Sequence, residues 1–163
     1  MVLSAREKPR FPRWVNPEFN LREVYPGLFV GDLNSPLQSR EWGLVVDLCG
    51  ALHTEPMGRR RYPANAELIS VRLEDGQPIP DAVFDKVYDR VRLALLAGEK
   101  VLIHCAAGMS RSVSMAYAVL RVGRKMSHEE ALSFVTTEEG IRMGWPMRET
   151  LNSARRWAEE SGR

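Results

Sequence analysis

The segment VLIHCAAGMSRSV, residues 101–113, gathers the side chains best suited to covalent chemistry in this chain. An apolar run, Val101–His104, reads as a buried strand and runs into a short loop that starts at Cys105. Helical apolar spacing (Val113, Ala116, Tyr117, Leu120) begins just after Arg111 and Ser112. A strand–loop–helix of this kind aims backbone N–H groups and the positive end of a helix dipole at an anion. Gly108 supplies the tight turn in mid-loop. Arg111 adds a planar fork that grips two oxygens at once. A free thiol is mostly protonated at neutral pH, and a cradle that holds phosphate also favours a thiolate. Cys105 is therefore expected to attack a phosphate held by Ala106, Ala107, Gly108, Met109, Ser110 and Arg111. Ser112 could donate a hydrogen bond to the sulfur as it leaves, and His104 could brace the loop from the core. The bland alternative is a buried cysteine beside a surface arginine.

Transfer of phosphoryl to sulfur leaves an oxygen that needs a proton, and the return step needs a base for water. One carboxyl group can do both in turn. Asp75 follows the apolar run Leu68–Leu73 in a loop with Gly76, Pro78 and Pro80. It could equally be the turn former of an Asp-Gly pair. Glu74 and Asp81 compete, although Glu74 would face the other way in extended chain and Asp81 suits the start of the following helix.

Four apolar runs read as strands: Glu23–Val30, broken at Pro26-Gly27, then Leu44–Leu48, Leu68–Leu73 and Val101–His104. LVVDL and VLIHC are almost continuously apolar, as in strands covered on both faces. Phe84, Val87, Val91 and Leu95 mark a helix stopped by Gly98. Ser127-His128-Glu129-Glu130 is a capping box continued by Ala131, Leu132 and Val135, and Met147, Leu151, Ala154 and Ala158 mark a last helix. This order predicts a single-domain α/β sandwich with a largely parallel central sheet flanked by helices. Residues 1–20, with three prolines, read as an irregular arm packed through Phe11, Trp14 and Phe19, and 21–163 as the catalytic domain.

A net charge of only +2 over 163 residues argues against a nucleic-acid partner, which needs a basic surplus. No apolar stretch reaches the ~20 residues of a membrane span, and the N-terminus lacks the pattern of a secretory signal. A cytoplasmic monomer without cofactor or membrane contact is expected. The histidines at 53, 104 and 128 are scattered and no acidic cluster has ligand spacing, so no metal is expected. Arg59-Arg60-Arg61 reads as a solvated run, with steering of anions as the alternative.

The pattern His-Cys-x-x-Gly-x-x-Arg-Ser in HCAAGMSRS resembles the signature of the protein tyrosine phosphatase superfamily, most closely its dual-specificity branch. EVYPGLFVGDL resembles the family's opening strands and VRLEDGQPIPDAVFDKV its general-acid region, so the likeness spans roughly residues 22–158. It implies a protein tyrosine phosphatase-like fold, a phosphocysteine intermediate, a phosphorylated protein substrate and Asp75 as the general acid. Some relatives carry a second cysteine that pairs reversibly with the nucleophile, which implies that role for Cys49. A small buried apolar residue is the other reading of Cys49. The variable loop positions are neutral, which weighs against a phosphoinositide and leaves a phosphoglucan open. A phosphate-binding pseudophosphatase would have lost Cys105, Arg111 or Asp75. A rhodanese-like sulfur-transfer loop also starts with cysteine, but His104, Gly108 and Arg111-Ser112 favour the phosphatase.

Overall fold

The computed structural model describes residues 10–136 and 145–162. Six strands form one sheet: β1 (Arg13–Asn16), β2 (Leu21–Tyr25), β3 (Leu28–Gly31), β4 (Trp42–Asp47), β5 (Glu67–Ser70) and β6 (Lys100–His104), in the order β1-β2-β3-β6-β4-β5. The helices are α1 (Ala51–Thr54), α2 (Asp81–Leu96), α3 (Arg111–Gly123), α4 (His128–Val135) and α5 (Arg148–Glu160). β3, β6, β4 and β5 run parallel, and β1 and β2 are added antiparallel at one edge.

Alternation along the central strands divides the core. Leu44, Val46, Val101 and Ile103 enter the larger cluster with Phe84, Tyr117, Val135 and Trp157 from α2–α5. Val45 and Leu102 face the other way, into a smaller cluster with Phe29, Trp42, Tyr62 and Ala66. Both faces are covered, which explains the nearly unbroken apolar runs. The four long helices lie on one face, and connecting segments carrying Phe19, Leu52 and Tyr62 cover the other.

Two expectations are corrected at the N-terminal edge. Residues 13–16 of the expected irregular arm form β1, paired with β2 and tied by an Arg13–Glu23 ion pair. A short 3-10 turn (Pro17–Phe19) and Asn20 at φ +52 return the chain, a turn that the proline count masks. The run Glu23–Val30 is not one interrupted strand but a hairpin, β2–β3, folded at Pro26-Gly27 with Gly27 at φ +82. Phe11 stacks near Tyr25 and Phe134, in keeping with a packed arm.

The register sets the position of the site. Gly31, His104, Asp47 and Ser70 lie side by side as the last residues of the four parallel strands. The loops that follow them therefore leave the same edge of the sheet, the usual location of ligand sites in open α/β sheets.

Candidate active site

Cys105 follows β6 directly and is buried. Its Sγ accepts the Gly108 N–H at 3.3 Å and lies 3.2 Å from the Ser112 hydroxyl. The loop carbonyls are held away from the sulfur. Ala106 O accepts the Leu33 N–H, Ala107 O accepts Asn20 Nδ2 at 3.0 Å, and Gly108 O accepts both Asn20 Nδ2 and Arg22 Nη1 at 3.2 Å. A trans peptide puts the following N–H opposite its carbonyl, so this bracing turns the amides of 107–109 toward the sulfur side. α3 then starts at Arg111 without a side-chain cap, because the Ser110 hydroxyl accepts the Met147 N–H at 2.9 Å instead. The uncapped N–H groups and the helix dipole point into the loop. The result is a nest for an anion with sulfur at its base.

Asn20 and Arg22 brace this loop, and the sequence reading missed both. Both are buried, and Arg22 also reaches Asn20 O and Val135 O. Burial lowers the Arg22 pKa to about 10, against an opposing pull from Cys105, so it stays cationic at neutral pH under the loop. A signal was present: Arg22 alternates in register with the core residue Val24 and so had to point inward.

His104 is enclosed. Its Nε2 lies 2.9 Å from the Tyr62 hydroxyl, and its Nδ1 faces Cys105 O at 3.4 Å. Burial, opposed by Asp47, pushes it down to about 4, so it is a neutral brace. Asp47 is fully buried. Burial alone would raise its pKa, but the Ser70 hydroxyl at 2.7 Å and the Leu52 and Ala51 amides hold it below the usual carboxylate range. Cys49 donates its thiol to Asp47 Oδ1 at 3.5 Å, and burial followed by the Asp47 charge pushes it up to about 12. Asp47, Cys49 and His104 thus bring ligand-type atoms within 4.8 Å of one another, a grouping that scattered histidines did not suggest. Hydrogen bonds already occupy them: the Asp47 carboxylate serves five donors and His104 Nε2 meets Tyr62. The trio braces the strand ends beneath Cys105.

Asp75 lies where the third parallel loop approaches Arg111. Its Oδ1 is 3.7 Å from Arg111 Nε, and its side chain is 58% exposed. Arg111 Nη1 donates to Leu73 O at 2.7 Å, while its buried Nε has no hydrogen-bond partner among the described residues. A cavity of about 270 Å³ opens here, lined by Cys49, Glu74, Asp75, Ala106 and Arg111 among others. Glu74 borders the same space, but Asp75 is the carboxylate beside the arginine. Asp81 instead occupies the first turn of α2, as its helix-starting role requires. The basic run is solvated in part, as its composition suggests: Arg59 and Arg60 are exposed, Arg59 while also binding Pro63 O and Ala66 O, but Arg61 is buried against Leu33 O.

Residues 48–155 match the family model described as "Dual specificity phosphatase, catalytic domain". The chain belongs to that family. Among curated relatives, human dual specificity protein phosphatase 2 is 27% identical over 122 residues, covering 73% of this chain and 38% of the relative. Dual specificity protein phosphatase 26 of Bos taurus is 29% identical over 126 residues, covering 73% and 59%. The chain therefore spans less than two thirds of these relatives' length. Among solved structures, human DUSP28 superposes with a TM-score of 0.71 at 19% identity, covering 93% of this chain and 99% of that one. TpbA of P. aeruginosa gives a TM-score of 0.66 at 20% identity, covering 95% and 92%. These structural matches show the same single-domain α/β architecture with a largely parallel central sheet. No helix among the described residues is long and apolar enough to cross a membrane.

Proposed function

We propose that the chain is a cysteine-dependent protein phosphatase that hydrolyses phosphotyrosine and phosphoserine or phosphothreonine. The supporting observation is the Cys105 sulfur at the base of the loop, bonded by the Gly108 amide and bordered by Arg111, whose Nε has no hydrogen-bond partner among the described residues. Membership of the family and the names of its relatives favour a protein substrate. In the first step the Cys105 thiolate attacks phosphorus, an S–P bond forms, and the P–O bond to the leaving group breaks. Asp75 gives that oxygen its proton. In the second step Asp75 takes a proton from water, the water oxygen attacks phosphorus, and the S–P bond breaks as Ser112 donates to the departing sulfur. Arg111 and the amides stabilise the charge in both transition states without a metal. A phosphoinositide is less favoured, because the exposed loop residues Ala106 and Ala107 carry no charge for a polyanion, and the relatives' names favour a protein over a phosphoglucan.

Asp75→Asn tests the reading. Turnover of a phosphotyrosine peptide should fall about 10²-fold while phosphate affinity is kept. Acid quenching should trap a phosphocysteine on Cys105. Normal turnover in the variant would remove Asp75 from the mechanism, and label on any other residue would remove Cys105.

Cys49 is our candidate redox partner. Peroxide would convert the Cys105 thiolate to a sulfenic acid, and Cys49 sulfur would then displace water to form a disulfide. A thiol pushed up to about 12 is a slow partner near neutrality, so bridge formation should speed up with rising pH. Peptide mapping after peroxide over about pH 7 to 9 checks this. Overoxidised Cys105 with no Cys49–Cys105 bridge at any pH would end the idea. Two free cysteines, one of them the nucleophile, suit the reducing cytoplasm that we assign to this protein.

A further inference from the structure

We infer that α5 holds the acid loop against the phosphate loop, with Thr150 and Ser153 as positioning residues for Asp75. The inference rests on the phosphatase reading and adds residues that its signature does not contain.

Asp75 has little of its own to fix it. Its side chain is largely exposed, and Arg111, the cation that it faces, is beyond hydrogen-bond distance at 3.7 Å. Its place is therefore set by the backbone around it. On one side, Leu73 O is held by Arg111 at 2.7 Å. On the other side, three of the next four residues meet α5. The Met147 side chain packs on Gly76 so closely that a Cβ there would lie 2.8 Å from Met147 Cε. The Thr150 hydroxyl donates to Gln77 O at 3.0 Å. The Ser153 hydroxyl accepts the Ile79 N–H at 2.9 Å and donates to Thr150 O at 2.6 Å. Within the loop itself, the turn bond from Gln77 N–H to Glu74 O is long, at 3.4 Å.

Thr150 and Ser153 are three residues apart, so they share one face of α5, and both are buried. Hydroxyls at buried positions of an amphipathic helix carry a desolvation cost that apolar residues would avoid. Here that cost is offset by pairing the polar backbone of a loop that leaves the sheet. The same helix start reaches the second loop, since the Met147 N–H donates to Ser110 Oγ, one residue before Arg111. One rigid element thus sets the distance between the acid and the phosphate cradle. Loosening the Thr150 and Ser153 contacts should cost mainly the proton transfer, because the Cys105–Gly108 loop has supports of its own in Asn20 and Arg22 and Ser110 keeps its bond from Met147.

Leaving groups separate this role from a merely structural one. Phenyl phosphate expels a phenoxide that needs a proton, since phenols of this kind have a pKa near ~10. 2,4-Dinitrophenyl phosphate expels an ion that leaves unprotonated. In kcat/KM, which reports the first transfer, Ser153→Ala and Thr150→Val should each lose about tenfold with phenyl phosphate and less than about twofold with the dinitrophenyl ester. Asp75→Asn should show the same contrast more strongly, and Thr150→Ser should restore wild-type behaviour. Calorimetric binding of inorganic phosphate should stay unchanged in every variant. If Ser153→Ala does not fold, Thr150→Val and Thr150→Ser carry the comparison. Equal losses on both esters, no loss at all, or an Asp75→Asn variant without the contrast would overturn the positioning role. Wild-type protein that cleaves neither ester would instead refute the phosphatase reading itself.

Discussion

Cys105→Ser is expected to lower turnover by about 10⁴-fold or more while leaving phosphate binding intact. The size follows from chemistry. A serine hydroxyl stays un-ionised where a thiol can give up its proton, so the nucleophile is lost even though the atom in place is similar. A 10⁴-fold loss corresponds to about 5.4 kcal/mol of barrier. The binding half of the prediction follows from geometry. An anion in the loop would meet amides whose neighbouring carbonyls are tied to Asn20, Arg22 and Leu33, and would meet Arg111, none of which depends on the sulfur. A serine oxygen can still meet the Gly108 N–H and the Ser112 hydroxyl that border Cys105 Sγ. Turnover of a phosphotyrosine peptide and calorimetry with inorganic phosphate measure the two halves separately. Turnover within tenfold of wild type would displace Cys105 as the nucleophile. Loss of phosphate binding together with turnover would mean that the sulfur shapes the loop, contrary to the bracing described above.

The Cys105–Arg111 loop was legible because all its parts are local. A strand, a glycine turn and a helix start occupy thirteen consecutive residues, and their chemistry is set by order alone. Asp75 was harder. Its place follows from Ser70 aligning with Asp47 and His104 across the sheet, and register is a tertiary property that the sequence signals only through strand content. The bracing residues were hardest. Asn20 and Arg22 act on carbonyls more than eighty residues away, and Thr150 and Ser153 on a loop more than seventy residues earlier. Nothing local marks such pairs except a polar residue at a position whose neighbours in register are apolar. Arg61 was misread for the same reason, since its buried bond to Leu33 O is invisible in a run of three arginines. β1 was missed because prolines dominate its neighbourhood, while its pairing with β2 depends on the left-handed turn at Asn20.

Gly108→Ala tests whether the loop is built to sub-ångström tolerance. Gly108 has φ +72, a region that costs an alanine roughly 1–2 kcal/mol. Its added Cβ would also lie 2.8 Å from Gly31 C, 2.9 Å from Gly31 O and 3.1 Å from Asp32 N. These are backbone atoms at the end of β3, held by the parallel pairing of Gly31 with His104, so they cannot swing aside. Relieving the overlap adds roughly 1–3 kcal/mol, and the sum is about 2–5 kcal/mol of lost stability. Function should suffer separately. The Gly108 amide bonds the sulfur and its carbonyl takes both Asn20 and Arg22, so a shift of about 1 Å should cost around 10²-fold in turnover. Gly98 provides the control, because it has φ +76 but nothing within 4 Å of an added Cβ. Gly98→Ala should therefore show the conformational cost alone, about 1–2 kcal/mol in urea denaturation, with turnover unchanged. If the two variants unfold at the same urea concentration and turn over alike, the close approach of the loop to β3 plays no part, and the amide geometry at Cys105 must be held from elsewhere.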